Sequence, residues 1–132
     1  MPSIFSKIVN GEIPCYKVAE DENYFAFLDI APLKKGHTLV IPKKETDYIF
    51  DLNKNEYDGL FDFARKVAMG IKEAIPCNRI SIQVIGLEVP HAHIHLIPIN
   101  TMNDCNFKNE KLNFSADEFK ETAQKIASHI QL

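Results

Sequence analysis

Four of the five histidines in this chain fall in two short segments, His37 and the run His91-Ala92-His93-Ile94-His95. On an extended strand side chains alternate faces, so this spacing predicts that His91, His93 and His95 project together, neighbours about 6.6 Å apart. Ala92, Ile94 and Leu96 then face the other way, toward a core. Three imidazoles side by side are costly to bury without a purpose, because burial disfavours their charged forms and protonated rings repel. The fifth, His129, fits the last turn of a helix, where a cation is mildly favoured, and needs no further role. Two chemistries suit the triplet. Neutral imidazole is a common zinc ligand. It is also a nucleophile toward phosphorus, forming a covalent intermediate while neighbouring rings stabilise charge and move protons. Spacing alone does not choose between them.

The elements that must position these rings are legible from periodicity and capping. Ser3 caps a short helix in which Ile4, Phe5 and Ile8 share a face, and Asn10-Gly11 ends it. Cys15 to Ala19 and Tyr24 to Leu28 form a hairpin around a polar turn. Asp29 to Gly36 is a loop, and His37 to Pro42 is a third strand. Asn53 and Glu56 have capping-box spacing, and Tyr57, Leu60, Phe61, Ala64, Val67, Ala68, Ile71 and Ala74 then recur at three- and four-residue steps. That is one long helix, ended by Ile75-Pro76; Gly59 and Gly70 each weaken it, and are either points of close packing or incidental. Arg79 to Ile85 and His91 to Ile99 are two more strands, and Asn100 to Asn113 is polar and irregular. Ser115 and Glu118 open a final amphipathic helix within 115–131. Short connections favour antiparallel pairing, and there is no βαβ alternation, so the fold class is α+β.

Composition narrows the function. At 132 residues the chain has room for one domain, 1–132. A net charge of −3 implies no broad attraction to nucleic acid or anionic lipid. Arg65 and Arg79 are the sole arginines, so a clamp of several arginines on phosphate is excluded. The scattered glycines 11, 36, 59, 70 and 86 form no P-loop or dinucleotide cluster. Cys15, Cys77 and Cys105 form neither a disulfide framework nor a Cys-x-x-Cys site. The apolar runs are shorter than the roughly 20 residues of a membrane helix. The start lacks an apolar signal core, so the expected location is the cytoplasm.

The run HAHIHLIP resembles the signature of the histidine triad (HIT) family, and IFSKIVNGEIP and FLDIAPLKKGHTLVIPKK precede it in family order. Together these blocks cover about residues 4–98 and are most similar to the Hint-like branch. The resemblance implies an antiparallel sheet of about five strands with a long central helix and short N- and C-terminal helices. It implies hydrolysis or transfer at the α-phosphate of nucleoside phosphoramidates or related adenylates, with no cofactor and no metal. His93 would be the nucleophile, giving a nucleotidyl-histidine that water hydrolyses. His91 and His37 would support it, and His95 would contact the α-phosphate. Backbone N–H groups at Gly86 and Val89 would hold phosphate oxygens. Gln83 and Glu88 fall near the phosphate and leaving group. Asp29 would accept from the ribose hydroxyls, and Phe5, Ile8, Phe27 and Ile30 would line a slot for a purine base. The family is commonly homodimeric.

The chain departs from the family pattern in places. Leu87 and Glu88 stand where a glutamine and a hydroxyl residue are usual. A carboxylate there would repel phosphate or recognise a cationic leaving group such as an amine. Ser3, Ser6 and Glu45 replace the cysteines and the histidine that hold a structural zinc in some members, so none is expected here. Two alternatives stand beside the main reading. One is a zinc-dependent hydrolase using His91, His93 and His95, which metal analysis separates. The other is a non-catalytic nucleotide-binding module, which would bind adenosine monophosphate without turnover.

Overall fold

The structure, a computed structural model, describes residues 2–132. Helix α1 spans Ile4–Val9, and strands β1 (Lys17–Glu20), β2 (Tyr24–Leu28) and β3 (Thr38–Pro42) follow. The long helix α2 (Lys54–Ala74) leads to β4 (Arg79–Gln83) and β5 (Ile94–Ile99), and α3 (Ala116–Ala127) closes the chain. The five strands form one antiparallel sheet in the order β1-β2-β3-β5-β4. This is the α+β architecture the periodicity predicts.

The sheet has two unlike faces because its strands alternate. Ala26, Leu28, Val40, Ile94 and Leu96 point toward α2 and α3 and share one core with Leu60, Ala64, Val67, Ile71 and Ile126. Phe25, Phe27, Leu39 and Ile41 point the other way and are capped by Phe5 of α1. Register then carries the second face across to the histidines: Leu39 pairs with His95 on one side and Gln83 pairs with it on the other. Ile94 and Leu96 are fully buried, contributing about 2 kcal/mol each, and they fix the direction of His95 between them.

Both capping boxes form as expected, Asn53 with Glu56 and Ser115 with Glu118. Several boundaries shift. The first strand begins at Lys17 rather than Cys15, and the third at Thr38 rather than His37. The fourth ends at Gln83 rather than Ile85. The largest correction is to the histidine strand. It begins at Ile94, so His91 and His93 lie in the preceding loop. There the His91 amide turns back to the Val89 carbonyl and the Ala92 amide bonds Thr46, so neither joins a strand ladder. Helix α3 ends at Ala127, which leaves His129 beyond its last turn.

Gly59 and Gly70 are indeed contact points. A Cβ on Gly59 would enter the Tyr24 ring, whose hydroxyl donates to the Glu56 carbonyl at 3.1 Å, and one on Gly70 would meet Ile130. The Tyr24 anchor leaves the ring little freedom to move aside. Gly59→Ala should therefore destabilise the protein by about 1–2 kcal/mol, although alanine is about 1 kcal/mol the better helix former. Urea denaturation reads the sign directly.

Candidate functional site

His37, His95 and His93 form a continuous file of rings. Ring centroids are 5.2 Å apart for His37 and His95 and 5.0 Å apart for His95 and His93. His91 stands apart: Phe5 lies between it and His93, edge-on to both at 5.8 and 5.0 Å. The three alternating rings thus do not share one face, because a turn separates His91 from the strand. His91 reaches His93 through its backbone carbonyl, which accepts from His93 Nδ1 at 2.7 Å.

Hydrogen bonding fixes the tautomers, because backbone groups have one polarity. A carbonyl cannot donate, so His93 carries its proton on Nδ1 and keeps a lone pair on Nε2. The Leu33 amide donates to His37 Nδ1 at 3.0 Å, so neutral His37 carries its proton on Nε2. That N–H donates to His95 Nδ1 at 3.0 Å, which places the His95 proton on Nε2. His91 Nε2 donates to the Pro42 carbonyl at 2.8 Å, and its Nδ1 accepts from Ser3 Oγ at 2.7 Å. Two touching rings therefore differ in polarity, His93 with a free lone pair and His95 with an N–H.

Burial favours the neutral forms of His37, His95 and His91. It is the main cause that lowers His37 to about 3 and His95 to about 4, and charge on the neighbouring ring adds to it. Burial also lowers His91. The same cause raises the Asp29 carboxyl, against an opposing hydrogen bond from the Ala31 amide and the nearby charge of His93. Asp29 Oδ2 stands 3.6 Å from His37 Nε2.

His93 and His95 open into a cavity of about 410 Å³ whose lining also includes Phe5, Asp29, Gly86, Glu88 and Val89. Its lining holds no lysine or arginine among the described residues. Gly86 turns the loop with a φ of 72°, a conformation glycine adopts freely. Four residues expected at the binding site are placed elsewhere. Phe27 and Ile8 pack beneath Phe5 in the second core cluster, because that helix face is needed for docking. Ile30 is 72% exposed and borders a separate cavity beside Cys15 and Lys120. Gln83 is drawn away by the Cys105 carbonyl, to which it donates at 3.2 Å.

The sequence reading missed Ile4, Leu39, Ile85 and Phe107, which also line the cavity. Phe107 meets His95 edge-on at 4.9 Å from the irregular 100–113 segment. That segment is stapled to the 29–36 loop by Lys34 with Asp104 at 3.2 Å and by the Leu112 amide with the Pro32 carbonyl. Amides of Asn100 and Thr101 hold Asp104 down to about 2. No periodicity marks such a segment; Phe107, its lone aromatic, was the available signal.

Two potential metal arrangements need separating. His91 commits both ring nitrogens to Ser3 and Pro42, so the His91-His93-His95 chelate is not assembled. Among the described residues the group whose ligand atoms converge, within 4.8 Å, is Asp29, His37 and His95. Its two histidines already use the facing nitrogens in a hydrogen bond to each other.

The fold is an antiparallel α+β sheet with His93 and His95 at one cavity, and comparison with known proteins gives the family. The HIT domain model matches residues 10–102, and the chain belongs to the HIT family. An uncharacterized HIT-like protein of Borreliella burgdorferi is 36% identical, over 96% of this chain and 97% of its own. Adenosine 5′-monophosphoramidase hnt1 of Schizosaccharomyces pombe is 39% identical over 74% of each chain. The crystal structure of a Hit-like protein involved in cell-cycle regulation from Bartonella henselae superposes with a TM-score of 0.84 at 29% identity, covering 97% of this chain and 96% of that one. Membership supports the coarse function of a nucleotide-binding hydrolase or transferase. No helix among the described residues is long and apolar enough to cross a membrane.

The folded values of about 3 for His37 and about 4 for His95 lie below the roughly 6.5 of an unfolded histidine. Between those limits the unfolded chain binds more protons, so stability rises with pH there and levels off above about pH 6.5. Urea midpoints should fall as pH drops from about 7 to about 4.5, by about 1 kcal/mol per pH unit for each such ring. His37→Gln should make the decline shallower.

Proposed function

We propose that this protein hydrolyses nucleoside phosphoramidates, or related adenylates, through a nucleotidyl-histidine on His93. The observation that carries this is the polarity of the paired rings: His93 Nε2 offers a lone pair beside a His95 that offers an N–H. The similarity to the S. pombe phosphoramidase supports the choice of substrate class. In the first step the Nε2–P bond forms and the P–N bond breaks. The departing amine takes a proton from water at the open mouth. In the second step water attacks phosphorus, the Nε2–P bond breaks, and a proton returns to solvent. His95 Nε2–H stabilises the phosphoryl oxygen, as do loop amides at Gly86 and Val89. Asp29 receives the ribose hydroxyls, and Phe5 with Ile4 and Leu39 offers apolar contact for a purine base. His37 acts on His95 and His91 acts on His93, a division of the supporting network that the resemblance alone did not make.

His93→Ala should lower kcat by at least about a thousandfold while nucleotide still binds. Quenching a reaction with substrate labelled at phosphorus should leave label on His93. Residual turnover near the wild-type rate, or label elsewhere, would refute the mechanism.

The proposal includes turnover without a metal, since the ring nitrogens facing one another are bonded to each other. Activity should be unchanged after dialysis against a strong chelator. Loss of activity that zinc restores would favour the second reading, a metal held by Asp29, His37 and His95. We extend the same proposal to a cytoplasmic homodimer, in which edge strand β4, with Ile82 55% exposed, offers its free side to a second copy.

A further inference from the structure

His91 is fully buried, does not itself line the cavity, and is nevertheless held at every polar atom. Its Nε2 donates to Pro42 at the end of β3, and its Nδ1 accepts from Ser3 Oγ at 2.7 Å. Ser3 is the cap of α1, receiving the Ser6 amide at 3.0 Å, and is itself 5% exposed. Its own amide donates to Glu45 Oε1 at 2.6 Å, and the Ser6 hydroxyl donates to the same oxygen at 2.7 Å. These two donors hold the Glu45 carboxyl below its usual range. Glu45 lies three residues past Pro42, so both ends of the clamp on His91 are anchored to the same stretch of chain.

The helix cap cannot be the whole reason for this arrangement. A cap needs Ser3 Oγ to accept from the Ser6 amide, which leaves its proton free. That proton is spent on a ring 88 positions away. The ring's own backbone carbonyl is the group that fixes the proton of His93 on Nδ1. Phe5, two residues after Ser3, packs edge-on against both rings and transmits any shift of α1 to them.

We infer that Ser3 and Glu45 are positioning residues for His93, acting through His91: Glu45 seats the α1 cap, the Ser3 hydroxyl fixes the His91 ring, and the His91 carbonyl fixes the His93 tautomer. Without the Ser3 hydroxyl, His91 Nδ1 is a buried acceptor without its donor and the ring is free to reorient. The carbonyl that holds His93 Nδ1–H then loses its fixed place, and His93 samples the tautomer whose Nε2 carries a proton and cannot attack. The effect falls on the chemical step and not on nucleotide binding, since neither Ser3 nor Glu45 lines the cavity.

The role of His93 as nucleophile rests on the function proposed above, so the test has one readout that needs turnover and one that does not. Ser3→Gly removes the hydroxyl while glycine remains a tolerable helix cap. It should lower kcat about tenfold with KM within about twofold of wild type. Ring-nitrogen NMR should show His93 as a single Nδ1–H tautomer in the wild type and as a mixture in Ser3→Gly. Ser3→Thr should restore both, and Glu45→Ala should shift both in the same direction. Should Ser3→Gly fail to fold, Glu45→Ala carries the two measurements by itself. An unchanged kcat, or an unchanged His93 spectrum alongside lost activity, overturns the inference. If His93→Ala stays active on phosphoramidates, the proposed function fails, but the ring spectra still report whether Ser3 sets the His93 tautomer.

Discussion

The site depends on the fixed polarity of backbone hydrogen bonds. An imidazole has two nitrogens and, when neutral, one proton, so its state is undecided until something that cannot change roles binds one end. The Leu33 amide can only donate and the His91 carbonyl can only accept. From the first, polarity runs through His37 and His95 and ends on an N–H. From the second it runs through His93 and ends on a lone pair. Adjacent rings with opposite character at one cavity thus follow from two peptide groups. They require burial as well, since a ring that gains a second proton loses the distinction. The depressed pKa values of His37 and His95 are the same condition expressed as a titration.

The remainder of the fold keeps those peptide groups still. Strand β5 is pinned from behind by Ile94 and Leu96 in the core of α2 and α3, and from the sides by β3 and β4. Period two then places His95 on the open face with no further help. His93 lies one residue before the strand and outside that control. It is held instead by a carbonyl two residues back and by the edge of Phe5. This explains why the shortest α-helix, α1, bears on the site so closely: it supplies Phe5 to both rings, and its cap Ser3 to His91.

The core side of this molecule was legible in the sequence because burial and periodicity report the same thing. Every strand, the long helix and both capping boxes of the larger helices could be drawn from alternation and three-to-four spacing. The nearness of His93 to His95 was expected from alternation, whereas the place of His37 beside them came from the family resemblance. What failed was the assumption that alternation continues through His91. Val89 and Pro90 precede it, and the chain turns there, so a pattern that looks like strand is partly loop. Ile30 was misplaced because apolar character says nothing of which side of a loop a residue takes. Phe107 was missed for the opposite reason: its segment is ordered by ion pairs and amide contacts, which leave no period to find.

Under the proposed mechanism, the charge of the cavity suits a reaction that changes the charge on His93. Asp29 and Glu88 line it and no lysine or arginine does, which is a poor arrangement for simply holding a phosphate. A neutral imidazole that attacks phosphorus through Nε2 while keeping its Nδ1 proton becomes a cation. Asp29 lines the same cavity as His93, so its carboxylate, when ionised, favours that cation over the neutral ring. The bond from Nδ1 to the His91 carbonyl strengthens at the same moment, since its donor becomes charged. Groups that are indifferent or unfavourable to the resting nucleotide therefore favour the state on the way to the covalent adduct. That is the direction in which binding differences must run for a site to accelerate the step rather than merely hold the substrate.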